Sequence, residues 1–327
     1  MKIYKLLCLL LAAVVLLSGC KAATRGEERI PGNENEISFD PNLPDTVRLD
    51  ENGVPKIRVY ITDEKQIREM DIESYLCGVL AGEMKNDWPE EALKAQAILA
   101  RTFVIKFLSE KQSKYEGADI STDIEEAQAY NAAEINENIK RAVEATRGLI
   151  VAYRGEPIYA WFHAHSGGRT AQAGEGLSYR EEAPYTQSVK STEDESADGK
   201  AKSWTAAFSP DEVLEAAKKC GVKVGDKIES VAAGEKGESG RCKYIEINGK
   251  NVPANELRIS LGSAEMKSTL LTSVSFMDGK VVFNGKGYGH GVGMSQWGAY
   301  AMAKEGKTAD EIIHYYYRNV NIVQKWR

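Results

Sequence analysis

The sequence predicts an α+β protein, with N-terminal helices packed on a mixed sheet with β-hairpins and further helices at the C-terminus. Three observations carry this. Apolar residues recur at helical spacing between positions 71 and 108. The period then changes, and β-branched and aromatic runs separated by turn residues read as hairpins at 149–165 and 274–283. Helical patterns with clear start and stop signals return between 295 and 317.

The chain has 327 residues, room for one large or two modest domains once its ends are set aside. Apolar residues make up 43% and charged residues 28%, an ordinary globular balance that supports a sizeable core. A net charge of −6 argues against nucleic acid as a partner, because that binding needs a basic face. Lys2 and Lys5 precede an apolar run over residues 6–17, which is short for a membrane span and right for a signal peptide. Leu17-Ser18-Gly19-Cys20 then resembles the bacterial lipobox. Residues 1–20 are therefore expected to be a lipoprotein signal peptide. Lipidated Cys20 would hold the protein outside the cytoplasm, on the outer face of the cytoplasmic membrane. An uncleaved anchor, with Cys20 incidental, places the domain on the same side. Residues 21–54 are poor in apolar residues and rich in Glu, Asn, Pro and Gly, as in a flexible tether. That leaves 55–327 as the folded domain, with an inserted or smaller subdomain around 200–260. Of the five cysteines, Cys77 sits among apolar helix residues, and Cys220 and Cys242 are either a disulfide or two free thiols.

Within the domain, residues 56–62 alternate as a half-buried strand. Asp71 caps a helix whose stripe is Ile72, Leu76, Val79 and Leu80 and which stops near Gly82-Glu83. Asp87-Trp88-Pro89 starts a second helix running to about Leu108, smoothed by Ala92, Ala95, Ala97 and Ala100. Residues 123–133 read as a loop and 135–146 as a third helix stopped by Gly148. Residues 149–153 and 158–165 make a hairpin around Gly155 and Pro157, and 181–202 a surface loop. A short helix at 210–220 and a hairpin turning at Asp278-Gly279 follow. The helix at 295–304 and a last helix, capped by Thr308 with Glu311 and ending near Tyr317, complete the chain.

Four segments carry candidate chemistry. Glu83 ends an apolar helix between Gly82 and Met84, where partial desolvation raises a carboxyl's pKa and equips it as a general acid. The plain alternative is a solvent-facing helix-end glutamate. Gln96 and Arg101 are polar residues in an apolar helix, placed to bond sugar hydroxyls or to position Glu83, or, for Arg101, simply to pair with a carboxylate. In Trp161-Phe162-His163-Ala164-His165-Ser166-Gly167-Gly168, His163 and His165 share a strand face, half of a metal site without a third ligand. A substrate-contacting turn of His163, Ser166, Gly167 and Gly168 fits better. In the fourth, Gly287, Gly289, Gly291 and Gly293 alternate without the Lys-Ser/Thr of a phosphate loop. They let backbone approach a ligand, with Tyr288, His290 and Gln296 as polar lining and Tyr288 and Trp297 as flat apolar faces.

In this order the four segments resemble the stage II sporulation protein D family, whose domain is shared with amidase-enhancer proteins of the bacterial wall. The resemblance runs from about residue 56 to 327. It implies a peptidoglycan lytic transglycosylase that cuts the muramic acid–glucosamine bond of denuded glycan strands, with Glu83 as acid and then base. It places Gln96, Arg101, Ser166-Gly167-Gly168 and Tyr288-Gly289-His290-Gly291 around the cleft. Some members hold zinc through Cys and His just before a Gln-Ala-Tyr. Here Gln128-Ala129-Tyr130 is present, and Tyr130 joins the substrate-binding set. Residues 121–127 contain neither Cys nor His, so no metal and no cofactor are expected. The implied partners are peptidoglycan strands, the membrane through the lipid anchor, and a wall amidase that strips stem peptides. Two rival readings are a non-catalytic wall-binding module that stimulates an amidase and a metal-dependent hydrolase built on His163 and His165.

Overall fold

The computed structural model describes residues 37–40, 42–45, 47–193, 197 and 202–327. Cys20, the signal segment and residues 21–36 of the expected tether lie outside the described residues. The rest of that tether is built into the fold. Strands β1 (Ser38–Phe39) and β2 (Arg48–Leu49) each join a sheet, and Lys325 reaches back to Asp40 at 2.7 Å. Their side chains are exposed, so no apolar alternation announces them; backbone pairing holds them.

Strand β3 (Pro55–Ile61) turns Ile57, Val59 and Ile61 inward, as its period predicts. It pairs antiparallel with β2 and with β4 (Gln66–Asp71), a strand mostly exposed and therefore without an apolar signature. Asp71 caps α1 (Ile72–Glu83) by accepting from the Ser74 N–H at 2.9 Å. The helix ends because Met84 turns extended, its N–H still bonded to the Leu80 carbonyl. Helix α2 (Glu90–Glu110) is the centre of the main core. Its alanines at 92, 95, 97 and 100 are all buried, and small side chains allow close packing on α1 and on the elements that follow.

Next come β5 (Ile120–Ser121), parallel to β3, and α3 (Glu137–Ala145). The expected 149–165 hairpin is only partly formed. Strand β6 (Leu149–Tyr153) pairs with just two residues, β7 (Glu156–Pro157). The Ile158 N–H still bonds to the Val151 carbonyl at 3.2 Å, and there the ladder ends because Ile158 and Ala160 turn into the core. The chain is thereby freed to form β8 (Phe162–His163) in a different sheet, followed by the short α4 (Ala173–Gly176). Within 181–202, expected as surface loop, Tyr185, Thr186 and Ser191 are buried.

A second hydrophobic core is built from residues between 204 and 283. It contains β9 (Ser203–Phe208), α5 (Pro210–Lys219), the three-stranded meander β10 (Val231–Ala233), β11 (Tyr244–Ile247) and β12 (Lys250–Pro253), and α6 (Ala254–Leu261). The hairpin β13 (Leu271–Met277) and β14 (Lys280–Lys286) closes it, with β9 on the far edge of β14. Cys220 and Cys242 are free thiols, as is Cys77. The chain then returns to the main core through β15 (Met294–Ser295), parallel to β8, then α7 (Gln296–Lys304), α8 (Ala309–Tyr316) and β16 (Asn321–Gln324). Strand β16 lies between β1 and β6.

Candidate active site

Gly78 and Gly82 are four residues apart and so share one face of α1. The segment 129–131 lies directly on that face. A Cβ at Gly78 would overlap the Tyr130 ring, and one at Gly82 would sit 2.6 Å from the Tyr130 nitrogen and 2.7 Å from the Ala129 carbonyl carbon. The Asn131 N–H bonds to the Gly78 carbonyl at 2.9 Å. This close approach brings the Ala129 N–H to Glu83 Oε1 at 2.8 Å, and from α7 Gln296 Nε2 donates to Oε2 at 3.3 Å. Glu83 is half-buried. Burial raises its pKa, the two hydrogen bonds pull the other way, and no cation contributes. The net direction is upward, as a general acid requires.

Gly82→Ala should therefore disable the site. The added methyl forces backbone apart at a cost of roughly 1–3 kcal/mol. A displacement of the bonding partner by about 1 Å is expected to lower activity roughly a hundredfold. Melting temperature and turnover of the purified variant check this; unaltered turnover contradicts it.

The glycine-rich segments form a second group of residues. Tyr288 and His165 exchange backbone hydrogen bonds at 3.0 and 2.8 Å, and Ala171 bonds to the Gly291 carbonyl at 2.7 Å. Gly167 and Gly168 both have positive φ, which lets the turn double back. His163 is buried with Nδ1 on the Val292 carbonyl at 3.1 Å, and its Nε2 has no partner. His290 accepts from the Val292 N–H at 3.0 Å, and its ring is 5.8 Å from that of His163. Burial, then Arg258 and Arg241, push His290 down to about 3; burial, then His290, hold His163 well below its ordinary 6.5. Both imidazoles are neutral at physiological pH.

Because these folded values are depressed, the histidines' contribution to stability is complete above pH 6.5 and is lost as the pH falls from 6.5 toward the folded values. Ring-nitrogen NMR is expected to show neither residue titrating between about pH 5 and 8, in contrast to an ordinary histidine. A midpoint near 6.5 for either contradicts the geometry.

Two residues the sequence does not reveal tie the groups together. Glu193 accepts from the Ser166 N–H, from the Gly168 N–H at 3.1 Å and from Ser295 Oγ at 2.9 Å, beside His165 Nδ1 at 3.2 Å. Its side chain is only 6% exposed. Since Ser295 precedes Gln296, Glu193 links the Ser166-Gly167-Gly168 turn to the residue that holds Glu83. Arg241, from the second core region, is fully buried and donates to the carbonyls of Ser166 at 2.7 Å and Arg169 at 2.9 Å. Its guanidinium fills the space a Gly291 side chain would need. Glu193 hides in a polar stretch that reads as loop, and Arg241 in a Gly- and Lys-rich one.

Two expected residues, Arg101 and Gln96, are placed in the core, and a third, Tyr130, is half-buried beside Glu83. Arg101 is fully buried and bonds to Glu73 at 2.5 Å and the Leu149 carbonyl at 3.0 Å. Gln96 is fully buried in α2, with neither amide atom bonded. Tyr130 lays its ring on Gly78 and Tyr75, leaving its backbone beside Glu83. Trp297 is also buried, in a cluster with Trp88 and Tyr300. Residues 121–127 do not fit the zinc that the resemblance implies for some family members. They offer no thiolate or imidazole, Asp123 bonds to Lys114 and Tyr115, and Glu126 bonds to Ser113 and the Lys114 N–H. Among the described residues there is no group of three or more His, Cys, Asp and Glu placed to hold a metal ion.

Fold and site together define an α+β protein with a half-buried acid, Glu83, and a histidine-containing, glycine-rich wall held by Glu193 and Arg241. A stage II sporulation protein family model matches residues 60–153, and a model described as a domain of unknown function matches 175–293. The stage II sporulation protein D of Bacillus subtilis is 35% identical over 286 residues, covering 81% of this chain and 78% of that protein. The one from Bacillus amyloliquefaciens is 31% identical, covering 90% and 86%. The amidase enhancer of Bacillus subtilis is 30% identical over 74% of this chain, which spans only 39% of that longer protein. The chain belongs to the stage II sporulation protein D family and has a cell-wall-related role.

Proposed function

We propose that the protein is a peptidoglycan lytic transglycosylase acting on denuded glycan strands, with Glu83 as its single acid–base residue. The observation that carries this is the Glu83 carboxyl, desolvated without a cation and held between Ala129 and Gln296. Oε1 is engaged by the backbone at 2.8 Å, whereas the contact to Oε2 is longer, so Oε2 is the better carrier of the proton. That proton passes to the glycosidic oxygen between muramic acid and glucosamine as the C1–O bond breaks. The carboxylate left behind accepts the proton of the muramic C6 hydroxyl, whose oxygen closes on C1 as an anhydro sugar. The proton returns to Glu83 and no water is consumed.

A hydrolase would need a second carboxylate free to act as nucleophile or to activate water. Glu193 has its oxygens occupied by two backbone N–H groups and a hydroxyl. Asp123 is drawn down to about 2, chiefly by Lys114, and Glu126 is tied into its loop. None of these three described carboxylates is free for that role, which supports the one-acid mechanism. The amidase-enhancer relative favours a second reading, a wall-binding module that stimulates an amidase without cutting. Mass analysis of products from denuded strands separates the two: anhydro ends are expected, and intact strands would favour the module.

The protein's expected place is the outer face of the cytoplasmic membrane, held by lipid on Cys20. Several acyl chains hold a protein firmly where one does so reversibly. Cys20→Ser is expected to leave the protein unprocessed or released, as membrane fractionation would show. A variant that is processed and membrane-bound like the wild type contradicts the anchor.

A further inference from the structure

Along α2, Phe103, Lys106, Phe107 and Glu110 recur at three- and four-residue spacing and so share one face. That face forms one wall of a cavity of about 400 Å³, within the range of sites for small ligands. The facing wall is Tyr159 and Trp161, just before β8. Their rings are stacked, 5.2 Å apart and 15° from parallel. Tyr179 stands edge-on to both, at 5.6 and 5.0 Å, and closes one end. All three rings are only half-buried, so a continuous aromatic surface remains open to a ligand.

Charged groups of both signs ring this aromatic surface. Glu110 accepts from the Tyr159 hydroxyl at 2.6 Å and pairs with Lys106 Nζ at 2.6 Å, while Lys106 lies 4.8 Å from the centre of the Tyr159 ring. Glu181 accepts from the Tyr179 hydroxyl at 3.0 Å, and Lys111 completes the rim. Two lysines against two glutamates leave no net charge to select an anion or a cation. Flat rings below and fixed donors and acceptors at the edge suit a neutral ligand with one apolar face and a girdle of hydroxyl or amide groups. A pyranose ring has that form.

A short backbone path connects the cavity to the acid. The Trp161 carbonyl accepts from the Met294 N–H at 3.2 Å, β8 continues alongside Met294–Ser295, and Gln296, the next residue, holds Glu83. We infer that this cavity is a saccharide subsite that takes a neutral N-acetylglucosamine ring of the strand, away from the bond being cut. The inference rests on the glycan reading above, and its test is separable from it.

The test measures binding of the N-acetylglucosamine tetramer and of denuded strands to the full-length protein in detergent. It compares wild type, Trp161→Ala, Trp161→Phe, Tyr179→Ala and Lys106→Ala, each with its melting temperature. Loss of an aromatic platform is expected to weaken binding about tenfold. Trp161→Phe should keep most of the affinity, and KM for long strands should rise with kcat unchanged. If Trp161→Ala fails to fold, Tyr179→Ala and Lys106→Ala, both at the rim, decide the matter. Variants that melt like the wild type and bind both sugars as tightly overturn the subsite, as does ring-dependent binding of apolar peptides with none of the sugars. If the wild type binds sugar in a Trp161-dependent way but never cuts, the subsite stands and the lytic reading falls. If it cuts with the same KM in every variant, the lytic reading stands and the subsite falls.

Discussion

Glu83→Gln is expected to abolish release of anhydro-ended products while the protein folds as before. Glutamine keeps the length and hydrogen-bonding reach of glutamate but delivers no proton. General acid–base catalysis is typically worth about 10²–10⁴-fold, and one group here serves both steps, so the loss belongs at the upper end. Stability should move the other way. A carboxyl with a raised folded pKa holds its proton more tightly in the folded than in the unfolded chain. Its contribution is full below the ordinary value of 4.5 and is lost as the pH rises through the folded value. Glutamine has no charge to desolvate, so the variant should match wild type in acid and melt at or above it near neutrality. The paired measurement is melting temperature and anhydro yield for both proteins, across pH. A variant that melts like wild type and still cuts at a comparable rate removes Glu83 from the mechanism.

The largest effect on stability is expected at Arg101. Its guanidinium holds the buried Glu73 carboxylate, which also accepts from the Gly148 N–H at 3.1 Å and Trp326 Nε1 at 3.0 Å. This cluster fastens α1 and α2 to the turn before β6 and to the C-terminus. Arg101→Leu leaves that carboxylate buried without its cation, at a cost of about 3–5 kcal/mol. The melting temperature should fall on the order of 10 °C. Activity per folded molecule at a permissive temperature should stay near wild type, because Arg101 touches no cleft. Glu73→Leu in the same chain should restore part of the loss, since replacing both partners of a buried pair is far cheaper than removing one. A single variant that melts like wild type and has lost activity would return Arg101 to the substrate-binding role its motif implies.

Arg101 also illustrates how much of the molecule is legible in the sequence. The α+β class, the caps at Asp71 and Thr308 and the helix stop at Glu83 are local signals, and the structure has them. Strands β1, β2 and β4 carry no such signal, because their side chains are mostly exposed and pairing alone defines them. The failed half of the 149–165 hairpin has a distant cause: past Ile158 the chain turns into the core and becomes β8, whose partner is β15, far along the chain, and this brings His163 beside β15. Motif reasoning cannot tell a polar residue that meets substrate from one that meets a buried charge, and so Arg101 and Gln296 look alike until their partners are known. Glu193 and Arg241 act through contacts 25 to 102 residues away in the chain, which no local pattern records.

The most direct test of the central claim is digestion of denuded strands in water labelled with heavy oxygen, followed by mass analysis of the cut ends. Closure of the muramic C6 hydroxyl on C1 consumes no water, so the account predicts anhydro ends free of label from the wild type and none from Glu83→Gln. Reducing ends carrying the heavy oxygen would mean that water is the nucleophile and would contradict it.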